Sequence, residues 1–432
     1  DLWINNIEEL YFKKNIKKIS QQINIINTYE AELKNKIKNI FINHKTSKYQ
    51  LNDKHIGLIV PWADQGLGIQ SRSYYHSLKN IGFNPFIFSF KPYHGNDENN
   101  YLQHDPNEWK LENVFYSQNI RENIEYQEII NFIYENKIKK IIIIEATFQP
   151  IFNIVSLLKI MNIQIYLIVN IECVKITEIN YHYLFDKILC NNYNSYFIMK
   201  ELLPNKCHHL GFHLEHSYTQ QHKKHKKNNR LIKFVSIGGL NSISRKNVDK
   251  IINVFNDILN NNPNILIELN VFIQGVEIYN SFEDINHKNI NIIIQGFSYE
   301  QNLKNIYDND ILIHLGGQEG LGLGFYEALY LGLPILTMNW TPNNEIIKHN
   351  INGWLIQCSS GKIFENEECI VKRGIIEEID LKNMVLNIIN NIDNSLLIIN
   401  NTINNATQFK SENKKIFEHL LQYYLSTTPN LY

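Results

Sequence analysis

Excess charge of either sign is missing from this chain. Its 432 residues carry 42 Lys+Arg against 43 Asp+Glu, so no global field draws it to nucleic acid or to an anionic membrane. A long apolar run is missing too. No stretch approaches the roughly 20 consecutive apolar residues that a spanning helix needs, and the first residues lack the apolar centre of a secretory signal. Cysteine is scarce. Cys173, Cys190, Cys207, Cys358 and Cys369 are far apart and form no C-x-x-C pair, which reads as reduced thiols in a cytoplasmic compartment. There is no clear Asp-x-Asp at a strand end to seat a divalent ion on a phosphate; Asp308-Asn309-Asp310 is better read as the turn entering a strand. No repeat of solenoid period is visible. The chain opens at Asp1 rather than Met, which reads as a piece of a longer polypeptide with room for upstream domains. Heavy use of Ile, Asn and Lys reads as an AT-rich coding sequence.

The length suffices for two domains, each with its own core. Residues 1–50 are polar with helical spacing and no Gly or Pro; they read as a helical extension or linker, with a coiled-coil surface as the alternative. In residues 51–218, apolar strands at 56–60, 86–90, 141–144, 165–169 and 188–190 alternate with helical patterns. The β-branched run at 141–144 suits a strand buried on both faces. Residues 219–230, TQQHKKHKKNNR, form a polar, basic linker. In residues 231–408, strands at 232–237, 267–273, 290–294, 311–315 and 335–338 alternate with helices at 248–260, 299–307 and 325–331. Residues 409–432 contain an amphipathic helix at 410–425. Such alternation predicts an α/β protein with two parallel, Rossmann-like sheets.

Residues 311–356 are the most informative: ILIHLGGQEGLGLGFYEALYLGLPILTMNWTPNNEIIKHNINGWLI. An apolar strand leads through a glycine-rich turn into a helix. Gly316, Gly317, Gly320, Gly322 and Gly324 let backbone approach a ligand and present N–H groups at a helix N-terminus, a device for holding phosphate. Glu319 and Glu327 flank the turn with seven residues between them. A carboxylate at an anion site would repel the phosphate and must serve another part of the ligand, such as ribose or hexose hydroxyls. The segment points to a nucleotide-sugar.

The ordered set Glu319-Gly320-Leu321-Gly322, Glu327-Ala328, Gly332-Leu333-Pro334, Asn344-Glu345-Ile346 and Gly353 resembles the donor-binding core of the family-4 retaining glycosyltransferases (glycosyl transferases group 1). Outside the C-terminal half the resemblance is looser. It implies the GT-B fold, two Rossmann-like domains facing each other across a cleft, with the terminal helix crossing back to the first domain. It assigns Glu327 to the donor ribose and Glu319 to the transferred sugar; alone, either glutamate would simply complement a helix dipole. Gly320, Leu321, Gly322 and Leu323 would contact the diphosphate. Gly238-Gly239-Leu240 with Arg245-Lys246 occupies the place of the family's diphosphate-gripping segment. The family's usual Arg after the first glycine is replaced here by Gly239, and the cationic pair is Arg245-Lys246. Gly66 and Gly68 look like the glycine loop facing the donor, or a plain strand-to-helix turn. Where many members place a sugar-contacting His there is none; Glu145 stands as the substitute. Asp64, Arg72 and Glu172 are further acceptor or sugar candidates, and Glu172 could equally cap a helix. The nucleobase loop falls at Phe297 and Ser298.

Cys207, His208, His209, His213, His216, His222 and His225 include metal-like spacings, but they straddle a strand and the linker. They are read as no metal site, and Lys223, Lys224, Lys226 and Lys227 as solvated. The expected function is thus a retaining, metal-independent hexosyltransferase with no cofactor. Its expected donor is a nucleotide-diphospho-sugar, with UDP favoured, and its expected acceptor a glycan, protein or lipid hydroxyl. The alternatives are an inactive nucleotide- or carbohydrate-binding module, a GT-B nucleotide-sugar epimerase, and a base-glucosylating DNA enzyme. The last would want a basic face that the charge balance does not show.

Overall fold

A computed structural model describes residues 51–90, 109, 111–120, 123–145, 149–216, 231–238, 245–273, 287–360 and 369–427. The 1–50 extension, the 219–230 linker and Gly239 lie outside them, as do His222 and His225.

The apolar runs of the first half become strands β1 (Asn52–Val60), β2 (Asn84–Ser89), β3 (Val114–Tyr116), β4 (Ile138–Ile144), β5 (Gln164–Val169), β6 (Lys187–Cys190) and β7 (Cys207–His209). They form one sheet in the order β3-β2-β1-β4-β5-β6-β7, with every pairing parallel. Between them run helices α1 (Gly66–Asn80), α2 (Tyr126–Glu135), α3 (Gln149–Ile160) and α4 (Tyr193–Leu202). Helices on both faces explain why β4 is apolar without alternation: Ile141 through Ile144 are all buried.

The second half repeats the plan. Strands β8 (Ile232–Gly238), β9 (Ile267–Ile273), β10 (Ile290–Ile294), β11 (Ile311–His314), β12 (Ile335–Met338) and β13 (Gly353–Ile356) pair in parallel in the order β10-β9-β8-β11-β12-β13. Helices α5 (Val248–Asn261), α6 (Tyr299–Tyr307), α7 (Leu323–Tyr330) and α8 (Glu378–Asn390) pack around it. Both sheets share the doubly wound order, which leaves a crevice at the carboxyl ends of the strands where the order reverses. In the first half β1, β4 and β5 end there, and in the second β8 and β11.

The terminal helix α9 runs from Ile392 to Ser426 without a break, so the sequence boundary at 408/409 falls inside it. The asparagine-rich stretch 400–405 obscures the helical period in the sequence. It contains no Gly or Pro, however, and tertiary packing overrides the weak propensity of Asn. Ile398 and Ile399 join the second half's core. Phe417, Leu421 and Leu425 pack into a first-half cluster that also takes in Leu321, Tyr326 and Tyr330 from the second half. One apolar cluster therefore spans both halves.

Candidate active site

The two halves enclose a cavity of about 420 Å³. From the first half it is lined by Asp64 and Gly66 after β1, by Glu145 after β4, and by Asn170, Glu172 and Cys173 after β5. The second half contributes Gly238, Arg245, Lys246, His314, Glu319, Leu321, Gly322, Leu323 and Glu327. Residues far apart in sequence thus meet at the carboxyl edges of two sheets, as the topology dictates.

Glu319 follows β11 in the glycine-rich turn and is buried. His314 ends that strand, and its Nε2 lies 3.1 Å from Glu319 Oε1. Burial opposes charge on both groups, pushing the carboxyl up and the imidazole down. The charge and hydrogen bond of His314, followed by the cations of Arg245 and Lys246, outweigh it at Glu319, whose carboxyl is held well below the usual carboxylate range, while burial pushes the His314 imidazole down. Glycine at 316 leaves room for this carboxylate, because an added Cβ would sit 2.1 Å from Glu319 Oε1 and displace it.

Helix α7 starts from Gly322, whose φ of +69° is the left-handed conformation that favours glycine. Glu327 projects from α7 into the cavity. Burial pushes its carboxyl up to about 7, against the pull of Lys246 and the adjacent Tyr299 hydroxyl. Burial pushes the Lys246 ammonium down, and Glu319 and Glu327 act against that shift. Arg245 Nε is enclosed with no hydrogen-bond partner among the described residues.

Opposite them, burial and then the charges of Glu145 and Glu319 push the Glu172 carboxyl up to about 8. Its Oε2 has no hydrogen-bond partner among the described residues. Glu145 adopts a left-handed φ of +59° and accepts from Asn170 Nδ2 at 3.2 Å. Asn170 is held in turn by Gln70 at 3.1 Å and Asn191 at 3.1 Å.

Not every residue expected at the site reaches it. Phe297 packs edge-on against Phe272, with ring centroids 5.5 Å apart, and Ser298 caps α6 by accepting from Gln301 N at 3.3 Å. Neither lines the cavity; the next residue, Tyr299, does. Arg72 is not among the lining residues, and its guanidinium lies 4.7 Å from the centre of the Trp109 ring. Gly68 serves packing, because a Cβ there would meet Ala63 O at 1.8 Å. Gly320 borders the site behind the lining residues, against Glu172. His314, Tyr299 and Asn170 went unassigned from sequence. For His314 and Asn170 the available signal was a polar residue ending or following an apolar strand; Tyr299 opens α6.

The histidines after β6 disperse among separate contacts. His209 stacks on Tyr193 at 3.8 Å, His208 lies against Tyr424, and His213 sits between Tyr330 and Glu215. No cluster of three or more metal-ligating side chains occurs among the described residues, nor does a helix long and apolar enough to cross a membrane.

Residues 217–366 match the family model described as glycosyl transferases group 1. Among curated proteins, no sequence matches. Among solved structures, a sucrose-phosphate synthase from Thermosynechococcus elongatus aligns with a TM-score of 0.61 at 11% identity, over 87% of this chain and 100% of its own. Anabaena HepE, in complex with UDP and glucose, aligns at 0.60 and 11% identity over the same shares of the two chains. An Escherichia coli structure described as trehalose-6-phosphate bound with UDP-2-fluoro glucose aligns at 0.57 and 8% identity, again over 87% and 100%. At such identity the shared property is the fold, which is GT-B. The matched segment and this architecture together support a glycosyltransferase.

Proposed function

We propose that the protein is a retaining, metal-independent hexosyltransferase that uses a nucleotide-diphospho-sugar, with UDP as the favoured nucleotide. The observation that carries this reading is the gathering of Glu319, Glu327, Arg245 and Lys246 with the N-terminus of α7 around one cavity. UDP or a UDP-sugar accompanies two of the structural neighbours, and the cavity has complementary chemistry. Arg245, Lys246 and the helix N-terminus neutralise the diphosphate. Glu327 accepts from the ribose hydroxyls and ionised Glu319 from hydroxyls of the hexose. His314, 3.1 Å away, holds Glu319 in place.

In the chemical step the acceptor oxygen bonds to the anomeric carbon as the bond from that carbon to the phosphate oxygen breaks on the same face. The acceptor proton passes to the departing phosphate oxygen. The protein's main contribution is to stabilise charge developing on that phosphate. Asp64, Glu145 and Glu172 border the cavity from the first half and would meet the acceptor.

The test offers UDP-, GDP- and ADP-glucose to the protein in the presence of EDTA, with hydrolysis as the basal readout and the anomer of any product read by NMR. Turnover that survives EDTA and yields the donor's own anomeric configuration is expected. Loss of turnover restored by magnesium or manganese would overturn metal independence. An inverted product would overturn retention.

A further inference from the structure

Gly320, in the donor loop of the second half, is gripped entirely from the first half. Asn192 Nδ2 donates to its carbonyl. On the other side, an added Cβ would fall 1.5 Å from the Glu172 carboxyl, so any larger residue would have to displace that side chain. Asn192 is itself fixed as the N-cap of α4, its Oδ1 accepting from Ser195 N at 2.8 Å and Ser195 Oγ at 2.7 Å. Glu345 of the second half reaches across to the same helix end and accepts from Tyr193 N and Asn194 N, each at 2.7 Å. Tyr299 N donates to Asp64 Oδ2 at 3.0 Å on the far side of the cleft.

We infer that the start of α4 is a strap that sets the shape of the donor loop: Asn192 positions Gly320, and Glu345 holds the strap against the second half. Asn192 and Glu345 are positioning residues. They act through the loop that carries Glu319 and the N-terminus of α7, and their effect on turnover rests on the function proposed above. A donor loop shaped this way is complete only when the two halves are together.

Asn192→Asp divides capping from strapping. The aspartate keeps the oxygen that caps α4 but loses the N–H group that Gly320 O accepts from, and it sets a carboxylate against that carbonyl. Amide hydrogen exchange on the full chain reads the result without any assumption about activity. Residues 316–327 are expected to exchange about tenfold faster, the scale of one lost hydrogen bond, with residues 193–202 unchanged. Glu345→Ala should loosen both segments, and Glu345→Gln, which retains one acceptor oxygen, should restore part of the protection. In UDP-glucose hydrolysis Asn192→Asp should lower kcat, and calorimetric affinity for UDP should fall with it, because the loosened loop carries Glu327 and the N-terminus of α7. Unchanged exchange of 316–327 in Asn192→Asp overturns the strap. So does an equal rise throughout 193–202, which would reduce Asn192 to a helix cap. Failure of the wild type to turn over any nucleotide-sugar overturns the proposed function instead, and exchange still decides the strap.

Discussion

Glu319 and Glu327 share a cavity but hold their protons differently. Glu319 is ionised by its contact with His314 and by two cations, whereas burial lifts Glu327 to about 7. If Glu327 binds ribose, its contact is common to free nucleotide and sugar nucleotide, so Glu327→Gln should weaken both together as uniform binding. Glu319→Gln should leave UDP affinity almost unchanged and lower transfer. Calorimetry with UDP and UDP-glucose separates the two, and equal loss of UDP affinity in both variants would overturn the assignment. Glu172 supplies a second test at this scale. The unfolded chain ionises near 4.5, while the folded carboxyl keeps its proton to about 8. Across that window the native state binds more protons, so stability falls as pH rises and levels off above it. Glu327, raised to about 7, adds a slope of the same sign. Glu172→Gln should flatten the decline in Tm measured between about pH 5 and 9. A decline as steep as the wild type's would show that Glu172 is not held protonated.

Elements were more legible in the sequence than contacts. The strands read clearly because parallel strands buried on both faces are unbroken apolar runs, as Ile141 to Ile144 illustrate. Helix α7 was legible from Gly322, which marks its start. The site was legible where local motifs carry it: Glu319 and Glu327 come from one and Arg245 and Lys246 from another, and all four line one cavity. It was not legible where tertiary packing decides. Phe297 turns toward Phe272 while Tyr299, two positions on, faces the cleft, and no spacing rule distinguishes them. His314 reads as the end of an apolar strand until β11 is placed beside Glu319. Helix α9 was shortened because its asparagines break the apolar period. Phe417 tests whether the helix couples the two halves. It is fully buried in the cluster shared by both halves, with ring centroids 5.3 Å from Tyr74 and 6.1 Å from Phe212. Phe417→Ala should cost about 3–5 kcal/mol, the usual range for a buried aromatic, as measured by denaturant unfolding. A cost under about 1 kcal/mol, typical of a surface change, would mean that the crossing helix does not hold the halves together.

At the scale of the whole molecule, three features tie the halves together. Leu321, Tyr326 and Tyr330 are buried in a cluster made mostly of first-half residues. Helix α9 packs on both cores. Backbone pairing also crosses the interface, with Ile370 N donating to Val174 O at 3.1 Å. Separating the halves would expose the aromatic faces of Tyr326 and Tyr330 together with Phe212 and Phe417, a hydrophobic cost that neither half recovers alone. The chain should therefore unfold in one thermal transition rather than two. A ligand that binds only the native state adds RT ln(1 + [L]/Kd), about 2.7 kcal/mol at a hundredfold excess over Kd. UDP contacts assigned to the second half should thus stabilise the whole chain. Differential scanning calorimetry with and without UDP at that excess should show a single peak that moves up intact. Two peaks, with only one shifted by UDP, would mean that the halves are thermodynamically independent and that the shared cluster does not couple them.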